Sequence, residues 1–266
     1  MRIDQLLVSR QLASTRSQAQ RLIASGVQCR RDGVWRRVAK NGDDVALDAE
    51  IELLDNAEAR FVSRGGLKLA GAMQRLGLSA QGLVCLDLGQ STGGFTDCLL
   101  QLGAAHVVGV DVGFGQLHEA LRGDSRVSCL ERVNARNLPA DVVQNALTLA
   151  GIELAGIEQA GTTQTGGMVD LIVGDLSFIS QTLVLPAAVP LLRRGGALLM
   201  LVKPQFELQP GQIGKGGIVT DKALYAVVEQ RIRAAHIALG LSVQDYFEAP
   251  IAGGDGNREF FVYSTL

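Results

Sequence analysis

The chain has 266 residues, a formal net charge of −2, 47% hydrophobic and 20% charged side chains. That length allows one large domain, or a large one with a small companion, and the composition excludes wholesale disorder. No apolar run approaches the length of a bilayer span, and no apolar signal segment follows the N-terminus, so a soluble, cytoplasmic protein is expected.

Charge is unevenly placed along the chain. Residues 1–40 hold nine Arg and Lys (Arg2, Arg10, Arg16, Arg21, Arg30, Arg31, Arg36, Arg37 and Lys40) against Asp4 and Asp32. Residues 41–60 hold seven acids against Arg60 alone. A basic first segment is the footprint expected for phosphate contacts, although a solvated basic face has the same composition. Ile3, Leu6 and Leu7 share one face of a first helix over residues 2–9. Thr15 and Gln18 can cap a second over 16–25, with Ala19, Leu22 and Ile23 inward and Gly26 as its stop. Arg16 and Arg21 then lie away from that apolar face. A strand over 27–33 ends in an Asp-Gly turn. Alternating Val45, Leu47, Ala49, Ile51 and Leu53 predict a half-buried strand closing the unit. The run Arg2-Ile-Asp-Gln-Leu-Leu, then Ser14-Thr-Arg-Ser-Gln-Ala-Gln-Arg-Leu-Ile, then Gly26-Val resembles the αL RNA-binding domain of small-subunit ribosomal protein four. The expected division is an RNA-binding domain over 1–54, a polar linker over 55–62 and a larger domain over 63–266. Arg2, Arg10, Arg16, Arg21, Arg36 and Arg37 are its candidate RNA contacts.

The larger domain opens with a helix from Ser63-Arg-Gly-Gly-Leu-Lys68. Leu83 to Leu88 then reads as a buried strand carrying Asp87. Gly89, Gly93 and Gly94 follow, and a helix takes Phe95, Leu99, Leu100 and Leu102 as its apolar set. Strand, glycine-rich turn and helix open a nucleotide-binding α/β unit, because glycine lets backbone and ligand approach closely. The spacing departs from G-x-G-x-x-G, so the loop by itself suits a dinucleotide, S-adenosylmethionine or a tight turn. A second strand, His106 to Val110, ends in Asp111, 22 positions after Gly89. An acid at about that distance typically bonds ribose hydroxyls. Further strands are predicted at 127–133, ending at Asn134, at 170–173, ending at Gly174-Asp175, and at 197–202, ending at Lys203. Helices are predicted at 140–150, 180–193 and 221–239, with last strands near 242–248 and 259–264. Residues 151–167, with five glycines, read as a flexible insertion. A glycine-rich loop spans Gly211 to Gly217. Alternating strand and helix predicts a doubly wound sheet.

Ligands of such sheets sit outside the carboxyl ends of the strands. Asp87, Asp111, Asn134, Asp175 and Lys203 all fall at or just past those ends. Singly, each is more often a helix cap or a loop charge; jointly they form a convergent rim. Cys29, Cys85, Cys98 and Cys129 form no C-x-x-C, and His106, His118 and His236 lack ligand spacing, so buried thiols and no metal are expected.

Several stretches resemble the TlyA family, bacterial ribosomal-RNA ribose 2′-O-methyltransferases with an FtsJ-like catalytic domain, once named haemolysins. They are Ser63-Arg-Gly-Gly-Leu-Lys-Leu, Asp87-Leu-Gly-Gln-Ser-Thr-Gly-Gly-Phe-Thr, Gly109-Val-Asp-Val-Gly-Phe-Gly-Gln-Leu and Glu131-Arg-Val-Asn-Ala-Arg. Asp175-Leu-Ser-Phe-Ile-Ser, Val202-Lys-Pro-Gln-Phe-Glu and Gly253-Gly-Asp-Gly-Asn-Arg-Glu-Phe complete the set. The resemblance implies a Rossmann-like methyltransferase sheet, with Lys68, Asp175, Lys203 and Glu259 as catalytic residues. It implies S-adenosylmethionine held by Asp87, Gly89, Ser91, Gly93, Gly94, Phe95, Asp111 and Asn134. It implies ribosomal RNA or a ribosomal subunit as partner, with no membrane and no obligate protein partner. Gln90, where the family commonly has Ala, and the 151–167 insertion depart from the pattern. The chain resembles the shorter subtype, which implies a cytidine of the large subunit.

Competing readings fit less well. A nicotinamide dehydrogenase should show G-x-G-x-x-G, a small-molecule methyltransferase leaves the basic segment idle, and an RNA-binding protein without catalysis leaves the rim unexplained. A membrane-lytic toxin lacks an insertion segment.

Overall fold

The computed structural model describes residues 1–13, 15–31, 33–54, 60–153, 167–253 and 256–266, and only the backbone of Ser25. Most of the 151–167 insertion, Asp32 of the Asp-Gly turn and residues 55–59 of the linker lie outside the described residues. The chain forms two compact units, Met1–Leu67 and Lys68–Leu266. The first is longer than the expected 1–54 because Phe61 is buried in it and its carbonyl accepts the Gln18 amide at 3.3 Å.

The first unit packs α1 (Ile3–Ser9) and α2 (Arg16–Gly26) on one face of a sheet. The sheet has the order β2–β1–β3, with β1 Val27–Arg31, β2 Val34–Arg37 and β3 Ile51–Leu53, all antiparallel. Ile3, Leu6, Leu7, Ala19, Leu22, Ile23, Val27 and Cys29 make its core. The Thr15 hydroxyl accepts the Gln18 amide N–H at 3.2 Å, the cap that starts α2. The alternation from Val45 produces a shorter strand than expected. Val45 and Ala49 are buried but Leu47 is 64% exposed. Three carbonyls of this stretch are bonded by arginine side chains: Arg10 donates to Leu47 and Ala49, and Arg31 to Asp44.

The second unit is a seven-stranded sheet in the order β6–β5–β4–β7–β8–β10–β9. Its strands are β4 Val84–Leu88, β5 His106–Asp111, β6 Val127–Glu131, β7 Val169–Gly174, β8 Leu192–Val202, β9 Ser242–Glu248 and β10 Phe260–Thr265. β4 to β8 run parallel, and β10 is antiparallel to both β8 and β9. β4, β5, β7 and the second half of β8 are nearly continuous apolar runs because helices cover both faces. Leu86, Leu88, Val108, Val110, Ile172 and Met200 of these strands share one core with Val262 of β10. The helices are α3 Arg64–Leu76, α4 Gly94–Gln101, α5 Glu119–Arg122, α6 Ala140–Leu149, α7 Leu185–Ala188, α8 Pro204–Glu207 and α9 Ala223–Ala238. The single helix expected over 180–193 is broken. A 3₁₀ turn at Gln181–Leu183, α7 and another turn at Val189–Leu191 replace it, and β8 begins at Leu192. Pro186 and Pro190 supply no N–H to the interior of a longer helix, which is sufficient cause. Strand order reverses at β4, with β5 on one side and β7 on the other, so the ligand crevice lies at their carboxyl ends.

Candidate active site

The loop after β4 is shaped by its backbone. Gly89 has φ +81°, and a side chain there would meet the Asp175 carbonyl at 3.0 Å. Ser91, with φ +48°, takes a conformation that costs a non-glycine residue about 1–3 kcal/mol. It is held there because its N–H donates to Asp111 Oδ2 at 2.7 Å. The second Asp111 oxygen accepts the Gly113 N–H at 2.6 Å. The β5 carboxylate thus bridges both loops at the crevice, each oxygen keeping a lone pair for a further donor.

A cleft of about 350 Å³ opens between these loops. Gly89, Ser91, Asp111, Gln116 and Asn134 give it polar groups, while Val112, Val133, Ala135, Ile179 and Val184 give it apolar walls. Asp175 and Ser177 reach its other side. Small-molecule sites have this size and this mixture of apolar wall and few polar groups. Asn134 also caps the turn that follows it, its Oδ1 accepting the Arg136 N–H at 3.0 Å.

Four residues expected to touch a cofactor do not line the cleft. Gly93 turns the chain into α4 with φ +95°, and a side chain there would collide with Leu117 and Leu121. Gly94 is buried at the first turn of α4, and Phe95 stacks on Phe261 at 6.3 Å in the core. Asp87 is fully buried and accepts the Thr96 hydroxyl at 2.7 Å. Thr96 in turn accepts the Gln90 amide at 3.0 Å. The family's departure at Gln90 is accommodated by Gly109, since a side chain at 109 would fall 2.0 Å from the Gln90 amide. Val112, Gln116, Val133, Ala135 and the Leu176–Ile179 segment take the places of those four. They are loop residues without a periodic signal.

Burial pushes the Asp87 carboxyl up to about 7, despite the opposing Thr96 hydrogen bond. The folded state therefore keeps a proton that the unfolded chain releases near pH 4. Stability contributed by this group is full below about pH 4 and is lost as pH rises through about 7. Asp87→Asn should flatten the fall in urea midpoint over that window relative to wild type. Parallel pH profiles for the two proteins would disprove the shift.

The four expected catalytic side chains form two ion pairs. Lys203 follows β8, and its Nζ lies 2.6 Å from Asp175 Oδ1, just past β7. It also donates to Ser177 Oγ at 2.8 Å and stands 5.9 Å from the Phe206 ring centre. Lys68, on α3, donates to Glu259 Oε2 at 2.5 Å, and both are buried. Phe260 pairs with Val202 across β10 and β8, so the next residues, Glu259 and Lys203, leave neighbouring strands at the same edge. The antiparallel last strand is what brings Glu259 to a rim built by parallel ones.

A further carboxylate ends the Val202-Lys-Pro-Gln-Phe-Glu motif but is not among the expected site residues. Glu207 is buried on α8, accepts the Gln181 N–H at 2.9 Å and the Ser180 hydroxyl, and ties the Asp175 loop to the Lys203 turn. Burial raises its pKa above the usual carboxylate range. Phe178, also in the Asp175 loop, has φ +65°, is 91% exposed and packs against Phe206 at 5.1 Å.

In the first unit the expected RNA contacts divide. Arg2 and Arg16 both bond the buried Asp4, at 2.9 and 3.0 Å, and Arg10 is engaged by the carbonyls of Leu47 and Ala49. Hydrogen bonds from Arg2 above all, then Arg16, hold the Asp4 carboxyl well below the usual range. These three arginines secure the fold, although Arg2 and Arg16 remain about half exposed. Arg21 lies on α2, and Arg36 and Arg37 are exposed on β2. The four cysteines are free thiols, and no metal-binding cluster occurs among the described residues.

A parallel α/β sheet, a glycine-turn cleft at its switch point and paired lysines and carboxylates on its rim define a Rossmann-like transferase. The chain belongs to the FtsJ-like methyltransferase family, whose sequence profile matches residues 61–265. It is 40% identical over 262 residues to the 16S/23S rRNA (cytidine-2'-O)-methyltransferase TlyA of Mycobacterium tuberculosis, covering 98% of this chain and 88% of that protein. Hemolysin A of Brachyspira hyodysenteriae is 33% identical over the whole of both chains. A solved structure of a haemolysin-named protein from Streptococcus thermophilus shares 36% identity and a TM-score of 0.69, covering 99% of this chain and 87% of that one. The likeness to the TlyA family read from the motifs therefore holds over the full length. No described helix is long and apolar enough to cross a membrane.

Proposed function

We propose that this protein transfers a methyl group from S-adenosylmethionine to the 2′-hydroxyl of a cytidine ribose in ribosomal RNA, with the large subunit as substrate. The observation that carries the reading is the double ion pair, Lys203–Asp175 and Lys68–Glu259, beside a cleft of cofactor size. The Mycobacterium tuberculosis relative is named for cytidine 2′-O-methylation of 16S and 23S rRNA. A Campylobacter jejuni relative, 28% identical, is named for 23S rRNA alone, so the large subunit is common to both names. Cytoplasmic residence follows from that substrate.

Gly89, Ser91, Asp111 and Asn134 would hold the cofactor, with Val112, Val133 and Ala135 against its apolar parts. Bound S-adenosylmethionine supplies an electrophilic methyl on a sulfonium leaving group. A ribose hydroxyl is a poor nucleophile until its proton is taken or its oxygen polarised. Lys203 serves as that base or cationic donor, and Asp175 and Ser177 fix its amine. Lys68, oriented by Glu259, holds the ribose or its phosphate. Positioning supplies much of the remaining acceleration. Tritium transfer from labelled cofactor to isolated subunits, followed by mapping of the modified nucleotide, tests the reading. Label in small subunits equal to that in large ones would overturn the large-subunit preference, and no label in either would overturn the activity.

The basic first unit supplies RNA affinity in this reading. Arg16 is a poor probe of it, because Arg16→Ala takes a guanidinium from buried Asp4. Arg36 and Arg37 make no ion pair with a described residue and are the cleaner test. Their joint replacement by Ala should lower the salt slope of RNA binding by about 0.7–0.9 for each phosphate no longer neutralised, and leave cofactor affinity alone. An unaltered slope across a salt titration counts against phosphate binding by either residue.

A further inference from the structure

The outer face of the three-stranded sheet has a composition that the fold does not require. Val27 and Cys29 of β1 point into the core beneath α1 and α2, so Gln28 and Arg30 point the other way. The antiparallel register sets Trp35 opposite Arg30 and Arg37 opposite Gln28, which puts Trp35 and Arg37 on that same outer face. All four residues of β2 are exposed, Trp35 by 39%, and β2 is an edge of its sheet. A singly exposed aromatic needs no explanation. This one stands between two arginines on an open sheet face, and it is the one tryptophan in the chain.

We propose that Trp35 is a stacking platform for an unpaired base of the RNA, with Arg30 and Arg37 on the flanking phosphates. The proposal rests on the RNA reading above and adds the form of RNA that the first unit takes. An indole on an open sheet offers a base its π-face, which single-stranded nucleotides present and a closed duplex does not. Arg37 makes no ion pair with a described residue. Arg30 pairs with Glu50 at 3.2 Å, both about half exposed, a surface pair weak enough to yield to a phosphate. The acids on this face, Glu52 of β3 and Glu50 just before it, lie at the opposite edge, where the Gln28 amide bonds Glu52 at 2.5 Å and Arg30 bonds Glu50. Positive charge therefore follows the β2 edge, along which the strand would run.

The sole indole makes the full-length protein its own reporter. Titration with a short oligouridylate should quench its emission, and a duplex RNA of equal length should not. Trp35→Ala should weaken oligouridylate binding by about tenfold, as expected for loss of one stacked base, while Trp35→Phe stays within about threefold. The Phe variant also controls for any loss of folding in the Ala variant. Unchanged emission with oligouridylate bound, equal quenching by duplex, or wild-type affinity in Trp35→Ala would overturn the platform and leave the RNA reading standing. Quenching by protein concentration alone, with a dimer in sedimentation, would assign the face to self-association and overturn it equally. Failure of the protein to bind either oligonucleotide or purified ribosomal subunits removes the RNA reading and the platform together.

Discussion

Lys203→Ala abolishes methyl transfer while cofactor and RNA affinities stay near wild type: this is the largest effect expected. Lys203 leaves the central strand β8 in an extended conformation, φ −109° and ψ +101°, as the following Pro204 favours. Its amine is held between Asp175 and Ser177 at the mouth of the cleft. A base or donor so placed contributes roughly 10²–10⁴ in rate, about 2.7–5.4 kcal/mol. The competing reading is a lysine that pairs with Asp175 for stability alone. Lys203→Arg separates the two, because it keeps the charge and the pairing but replaces the amine by a guanidinium that does not deprotonate. If Lys203 is the base, both variants lose the single-turnover rate and the Arg variant keeps its melting temperature; if it is a cationic donor, the Ala variant alone loses the rate. Under a structural role the Arg variant keeps both. A single-turnover rate for Lys203→Ala within about threefold of wild type (roughly 0.6 kcal/mol) would falsify the assignment.

The second large effect is on the cofactor. Asp111→Ala should weaken S-adenosylmethionine binding by about one to two decades, the range for a lost charged hydrogen bond of about 1.5–3 kcal/mol. The structure adds a second contribution to that loss. Asp111 also accepts the N–H groups of Ser91 and Gly113, so its removal relaxes the strained Ser91 turn that forms one wall of the cleft. Asp111→Asn keeps one carbonyl acceptor and should recover part of the affinity. Calorimetry with the cofactor measures both variants, and filter binding checks that RNA affinity is retained. Unaltered cofactor affinity in Asp111→Ala would reduce the residue to a loop charge.

The elements most legible in the residue pattern are those whose signal is local. β4, β5 and β7 are apolar runs ended by an acid or a glycine, and α1 and α2 carry helical periodicity. Such runs placed Asp111, Asp175 and Lys203 at strand ends, where they are found, whereas the strand expected to end at Asn134 stops at Glu131 and Asn134 caps the following turn. Val45 to Leu53 misled because alternation reports which side chains are buried, and burial there comes with arginine-bonded carbonyls in a loop. The 180–193 stretch misled because its apolar content hid the two prolines that divide it.

The sequence by itself determined the doubly wound sheet, the glycine turn after β4 and, through its motifs, the methyltransferase family. Those follow from short-range periodicity and from residue types whose backbone preferences act over a few positions. Which of the motif residues line the cleft is set by tertiary packing. Asp87 and Phe95 share a motif with Gly89 and Ser91, yet they point into the core, Asp87 from a strand buried on both faces and Phe95 from the buried side of α4. Only the tertiary structure joined Lys68 to Glu259, 191 residues apart, through an antiparallel strand that no local pattern orients. Only the tertiary structure divided the basic segment into arginines that secure a small fold and arginines that remain open to a partner. A buried acid takes Arg2 and Arg16 and loop carbonyls take Arg10, a division set by which groups the fold brings within reach of each guanidinium.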